Sequence, residues 1–457
     1  MTSDAIATLC RHAVSTRNDA IPPAALQAAR IFLLDSLGVG VAGSTGPFVD
    51  ELCAAHAGLP EARVLGRRDA LPAAGAALVS AYQIHNGEFD CIHEAAVVHP
   101  MAVLLGAVLA WLDRRAQRGE PPTAGRELLA ALVLGVDTAC HVGVASRSPL
   151  RFFRPATAGS LAATAAIGRL SGFDSERLVN AMGINLGQMC GTMQAHSEGC
   201  AVLAMQAGFN ARNALVACDL AARGVPGPQQ VLEGTFGYFA LFEGEHDLAG
   251  ALAHLGRRWR ICEVAHKPFP SGRATHGIID ACLQLALEHG FSAADVARVS
   301  ARVPPLTHRL VGRPPHADMQ VNYARLCGAY AGACALLAGT VGLDDFSPAA
   351  LRDAVRLALA ARIEVIADGN TDPNAFTPIS VQVHLHGGAR VSRTLDVVYG
   401  NPARPMDRAA QLAKFRANCR ASAVPLDDDA AERAIALVDG LDEVGDVRAL
   451  LACLTPR

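Results

Sequence analysis

Between residues 25 and 222 the sequence runs through five apolar, mostly alanine- and leucine-rich segments, several of them apolar on nearly every side: Ala25 to Gly43, Val97 to Arg115, Gly125 to Ala145, Ala158 to Leu170 and Ala201 to Ala222. Alanine has the best helix propensity, and its small side chain lets helices approach closely. A helix with no polar face has to be surrounded by other helices or by lipid. The longest apolar run that stands out, Met101 to Leu112, is a dozen residues, against the roughly 20 needed to cross a bilayer. Buried helices are therefore expected, and no membrane span. Hydrophobic residues make up 51% of the 457 and charged residues 18%, below the roughly 25% charged of an ordinary soluble domain. A chain this apolar buries enough surface to offset its ordering entropy, which excludes disorder.

Forty Lys and Arg against forty-three Asp and Glu leave a formal charge of −3, without the basic excess of a nucleic-acid or membrane-surface protein. The thirteen cysteines are scattered, with no C-x-x-C pair. They are expected to be reduced, buried small hydrophobes of a cytoplasmic protein. Met1 to Asn18 lacks the apolar core of a secretory signal.

The texture changes near Arg257. Trp259 to Val264 and Val296 to Val303 look like short strands. Ile379 to Leu385 alternates, reaches Gly387-Gly388 and resumes as Arg390 to Val398, the pattern of a hairpin. Helices are expected between them at His276 to His289 and Tyr323 to Ala338, and again at Arg408 to Ala423 and Asp429 to Leu441. The expected fold is mainly α: a large all-helical domain formed by both chain ends (1–260 and 401–457), with a smaller α+β lid domain (261–400) inserted in it.

The densest polar cluster, His85, Glu88, Asp90, His93, Glu94 and His99-Pro100, interrupts an apolar stretch. A zinc-protease helix needs histidines four apart. His93 and His99 are six apart, about 240° around a helix, and Pro100 disfavours helix at His99. A loop is expected and no metal. The second cluster, Lys267-Pro-Phe-Pro-Ser271-Gly272-Arg273-Ala-Thr275-His276, leads into a helix. A helix start near Ser271, flanked by Lys267 and Arg273, suits a carboxylate, and Lys267 is a candidate base. Arg154, between Phe153 and Pro155, is a candidate carboxylate clamp, and Tyr330 either a core residue or a proton donor. No phosphate loop, no strand-linked G-x-G-x-x-G and no nucleophile elbow is present.

These clusters, in this order, resemble the MmgE/PrpD superfamily of 2-methylcitrate dehydratase, cis-aconitate decarboxylase and iminodisuccinate epimerase. The likeness runs from Leu34-Asp35-Ser36-Leu37-Gly38 through Glu88-Phe89-Asp90, His99-Pro100 and Lys267-Pro-Phe-Pro…His276 to Asp372-Pro373 and Gly400-Asn401-Pro402 with Pro405-Met406. It implies a usually dimeric, cofactor-free enzyme that moves a proton next to a carboxylate of a small di- or tricarboxylate. Asp90, His99, Lys267, His276 and Tyr330 stand at family positions, and Glu88 replaces a usual aspartate. Arg154 replaces a histidine, Ile92 a polar residue, Ser271 a frequent cysteine and Leu203 a frequent lysine. The resemblance implies Lys267 or His99 as base and Tyr330 or His276 as second acid, with Arg154, Arg273 and the Ser271 helix start holding carboxylates. A 2-methylcitrate dehydratase-like hydro-lyase is the leading expectation. The alternatives are an iminodisuccinate-type epimerase, a cis-aconitate-type decarboxylase and a non-catalytic polycarboxylate binder.

Overall fold

The computed structural model describes residues 4–455, so Met1, at the start of the expected signal-free segment, lies outside the described residues. The chain divides into two compact units. The larger holds everything up to Met193, then Val202–Val264 and everything from Asp407 on; the smaller holds Gln194–Ala201 and Ala265–Met406. The large unit is helical, and its longest helices are Pro23–Ala42, Pro100–Gln117, Gly125–Ala145, Arg154–Leu170 and Val202–Ala222. Proline occupies the first turn of three of them (Pro23, Pro100 and Pro155), where its missing N–H costs nothing. Asp407 and Asp427 cap the two helices near the C-terminus, Arg408–Arg420 and Asp428–Asp439.

Small residues set the helix spacing. A Cβ on Gly208 would lie 2.5 Å from the carbonyl oxygen of Leu78, and one on Gly106 would lie 2.6 Å from Ala81. The helix thus clasped, Ala73–Asn86, is buried at every position but Ala74. It was not foreseen, although Ala73, Ala74, Ala76, Ala77 and Leu78 after Pro72 favour helix. Two helical segments, Pro23–Thr45 and Gly125–Ala145, are long and apolar enough to cross a membrane, longer than the run at Met101. Of the most apolar 18 residues in each, 67% and 94% are buried, the environment of core helices. The only strands described here are the short antiparallel pair β1 (Ala62–Arg63) and β2 (Ala70–Leu71).

The small unit carries a sheet of β3 (Val296–Val303), β4 (Ile363–Ala367), β5 (Ile379–Leu385) and β6 (Arg390–Leu395) in the order β4-β3-β5-β6. β5 and β6 form the expected hairpin, with Val381 opposite Arg393, and β3 runs antiparallel to β5 with Val299 opposite Val383. β4, unforeseen from the sequence, pairs parallel to β3. The helices His276–His289 and Gly328–Ala338 pack on the sheet, and Ile278, Val299, Val381 and Val383 form part of the core between them.

Three expectations are corrected. Trp259 to Val264 is not a strand: Arg260–Glu263 forms a 3₁₀ turn, because Asp137 accepts the Arg260 backbone N–H at 2.7 Å and Arg260 pairs with Glu263 three residues on. The expected helix from Tyr323 to Ala338 breaks into Val321–Arg325 and Gly328–Ala338, because Cys327 turns extended to bridge Gly312. Residues 194–201 belong with the small unit, where Gly199 packs on Tyr323 and Arg313 donates to the His196 carbonyl at 2.9 Å.

Candidate active site

The helix Ala73–Asn86 delivers His85 in its last turn, and the chain then turns sharply. Glu88 takes a left-handed φ of 48° while its N–H returns to the His85 carbonyl at 3.0 Å. After Asp90 a tight turn follows, closed by paired backbone bonds between His93 and Val98 and carrying Val97 at φ 51°. His99 caps the helix that begins at Pro100, so its backbone is fixed from both sides. The sequence thus folds a loop here, as its glycine and proline require.

Two imidazoles converge on one carboxylate oxygen. His85 Nδ1 hydrogen-bonds Asp90 Oδ2 at 3.0 Å, and His99 Nδ1 lies 3.1 Å from the same atom. The two rings meet edge to face with centroids 4.7 Å apart. Glu88 Oε1 stands 3.8 Å from His85 Nε2. Asp90 is wholly buried, whereas Glu88 and His99 keep 8% and 7% of their surface exposed. A carboxylate bonded to Nδ1, as Asp90 is to His85, fixes the ring orientation and the tautomer and directs Nε2 away. The arrangement is that of an oriented acid–base pair. The ligand atoms of His85, Asp90 and His99 also lie within 4.8 Å of one another, close enough to hold a cation.

The loop is held by residues distant in sequence. Lys414 Nζ, from the helix Arg408–Arg420, lies 2.7 Å from Asp35 and donates to the Phe89 carbonyl at 2.9 Å. It also sits 3.9 Å from the centre of the Phe89 ring. His93 Nε2 pairs with Glu263 at 2.9 Å. Despite its partial burial, Glu263 is held down to about 2 by its bonds to His93, Arg258 and Arg260.

Arg154 is not a substrate clamp. Fully buried, it sets Nε and Nη2 against the Glu243 carboxylate at 2.8 Å each and gives Nη1 to the Ala96 carbonyl at 2.9 Å. Its fork is spent inside the protein.

Sequence profiles of the MmgE/PrpD N-terminal and C-terminal domains match residues 7–251 and 269–443. The chain belongs to the MmgE/PrpD family. This MmgE/PrpD protein is 28% identical over 366 residues to the cis-aconitate decarboxylase-like protein oryM of Aspergillus oryzae, covering 76% of each chain. It is 24% identical over 473 residues to the cis-aconitate decarboxylase of Aspergillus terreus, covering 98% of this chain and 95% of that one.

In the small unit of this MmgE/PrpD protein, Lys267 lies fully buried in a loop whose course depends on Gly400. At φ 93°, a Cβ on Gly400 would fall 2.5 Å from the His266 carbonyl and 2.9 Å from Pro268. Arg273 donates to the carbonyls of Tyr399, Val398 and His266 at 2.7, 3.2 and 3.3 Å, tying the chain beyond β6 to this loop. His276 accompanies it, with Nδ1 3.3 Å from Arg273 and Nε2 3.1 Å from the Ser271 carbonyl. The helix expected to start near Ser271 starts at His276, after a 3₁₀ turn, and buried Ser271 bonds Thr275. Tyr330 takes the core reading: its hydroxyl donates to the Asp345 carbonyl at 2.7 Å, and burial pushes its pKa up.

The sequence thus indicates the cluster that the structure assembles from His85, Glu88, Asp90 and His99. Lys414, Glu243 and Glu263 were not foreseen. A lone lysine in the C-terminal helix offers no local signal, although Asp35, its partner, stands within the Leu-Asp-Ser-Leu-Gly motif.

Proposed function

We propose that this protein is a cofactor-independent lyase that moves a proton on a small polycarboxylate, with His99, set against Asp90, as a catalytic acid–base group and Glu88 facing the neighbouring His85. The observation that carries this reading is the approach of His85 and His99 to a single oxygen of buried Asp90. The relatives covered most fully bear the name of cis-aconitate decarboxylase, so decarboxylation ranks ahead of the expected dehydration of 2-methylcitrate. In such a step a proton is added to the carbon skeleton and the carbon–carbon bond to one carboxylate breaks. The electron pair of that bond stays with the skeleton, and carbon dioxide leaves. A positioned imidazole suits the proton delivery, and groups of this kind contribute about 10²–10⁴-fold. Lys267 is the second catalytic candidate, on the strength of the Lys-Pro-aromatic-Pro resemblance. The same reading includes a homodimer.

The test follows carbon dioxide release from cis-aconitate by the wild type and by His99→Gln and Asp90→Asn, with 2-methylcitrate, citrate and iminodisuccinate alongside. Release that falls by about 10²-fold or more in both variants is expected. Tight calorimetric binding with every product assay blank would establish a binding protein instead.

A further inference from the structure

Arg154 and Glu243 form an ion pair with no solvent on either side, at 0% and 1% side-chain exposure. A pair this buried is weak grounds for stability, since desolvation offsets most of the attraction. Its hydrogen bonds suggest another use. Beyond the two from Arg154, the Glu243 carboxylate accepts from Ser146 Oγ at 2.9 Å and from the Tyr238 hydroxyl at 3.3 Å. The carboxylate is therefore immobile, and it aims the third arm of Arg154 at the Ala96 carbonyl.

Ala96 is gripped from three directions. Its N–H donates to His93 Nδ1 at 3.1 Å, its carbonyl accepts from Arg154, and a Cβ on Gly143 behind it would lie 2.8 Å from both its Cβ and its oxygen. The next residue, Val97, holds a positive φ. A β-branched residue adopts that conformation only where its surroundings over-determine it. Two residues further on stands His99.

We propose that the Arg154–Glu243 pair is a positioning device: it fixes the Ala96 peptide, holds Val97 in its strained turn and thereby sets His99 against Asp90. The inference rests on the reading of His99 as a catalytic group.

Arg154→Lys separates positioning from charge balance. A lysine keeps the positive charge beside Glu243 but cannot reach Ala96 at the same time with a planar fork. In the full chain, R154K is expected to melt within a few degrees of wild type. Its kcat falls about 10–100-fold at a KM within about twofold, the scale of a misplaced catalytic group. Hydrogen exchange at the Val97 and Val98 amides rises about tenfold as the turn opens locally. Gly143→Ala perturbs Ala96 from the other side with the ion pair intact, and the same fall in kcat is expected. Wild-type kcat and wild-type exchange in R154K would overturn the proposal, as would wild-type kcat in G143A. The exchange measurement needs no substrate, so an inactive wild type would sink the functional reading and leave the positioning role to be decided by exchange alone.

Discussion

Lys414 reaches Asp35 at 2.7 Å with both side chains 5% exposed, joining a helix near the C-terminus to one near the N-terminus directly behind the candidate catalytic loop. The same ammonium holds the Phe89 carbonyl, next to Asp90. Removing one partner of a buried pair leaves an uncompensated charge and costs about 3–5 kcal/mol. Lys414→Ala should therefore lower the melting temperature by several degrees and reduce activity even where the chain remains folded. An unchanged melting curve would show that the contact contributes nothing.

Tyr330→Phe should leave turnover within about twofold of wild type while lowering stability by about 1–3 kcal/mol, since the buried Asp345 carbonyl loses its donor. A tenfold fall in kcat would return Tyr330 to the catalytic group.

Acid should weaken the large unit in two steps. Burial, with Arg260 and His12 nearby, lowers His141 from its ordinary 6.5 to about 4, against the opposing pull of Asp137. The unfolded chain takes up that proton first, so stability is lost as pH falls from about 6.5 to 4. Glu263, depressed from 4.5 to about 2, stabilises the fold above about 4.5, and that contribution disappears as pH falls toward 2. His141→Gln should flatten the melting temperature across the upper window and Glu263→Gln across the lower one. Equal slopes in wild type and both variants would contradict these assignments.

The cluster of His85, Asp90 and His99 is compact enough for a cation, yet Asp90 already takes the His85 imidazole in a hydrogen bond and lies 3.1 Å from that of His99. Dialysis against a chelator should leave full activity. Loss that zinc restores would make the cluster a metal centre.

The family resemblance and the helical class were legible because they depend on local pattern. Ala-rich runs without a polar face specify buried helices, and alternation on either side of Gly387-Gly388 specifies a hairpin, wherever the rest of the chain goes. The loop at 87–99 was legible for the same reason, from Gly87 and Pro100. Which charges serve a ligand and which serve the fold was not. Arg154 and Arg273 read as carboxylate clamps because a cation beside proline or at a helix start carries the same local signature in either role. Their partners, Glu243 and the carbonyls of Val398 and Tyr399, lie far away along the chain. The sequence by itself determined the helical class, the long apolar helices, the hairpin and the inventory of ionisable groups. Only the tertiary structure decided the pairing, because a buried charge takes whichever partner the packing brings within hydrogen-bond reach, and that distance is not written in local sequence.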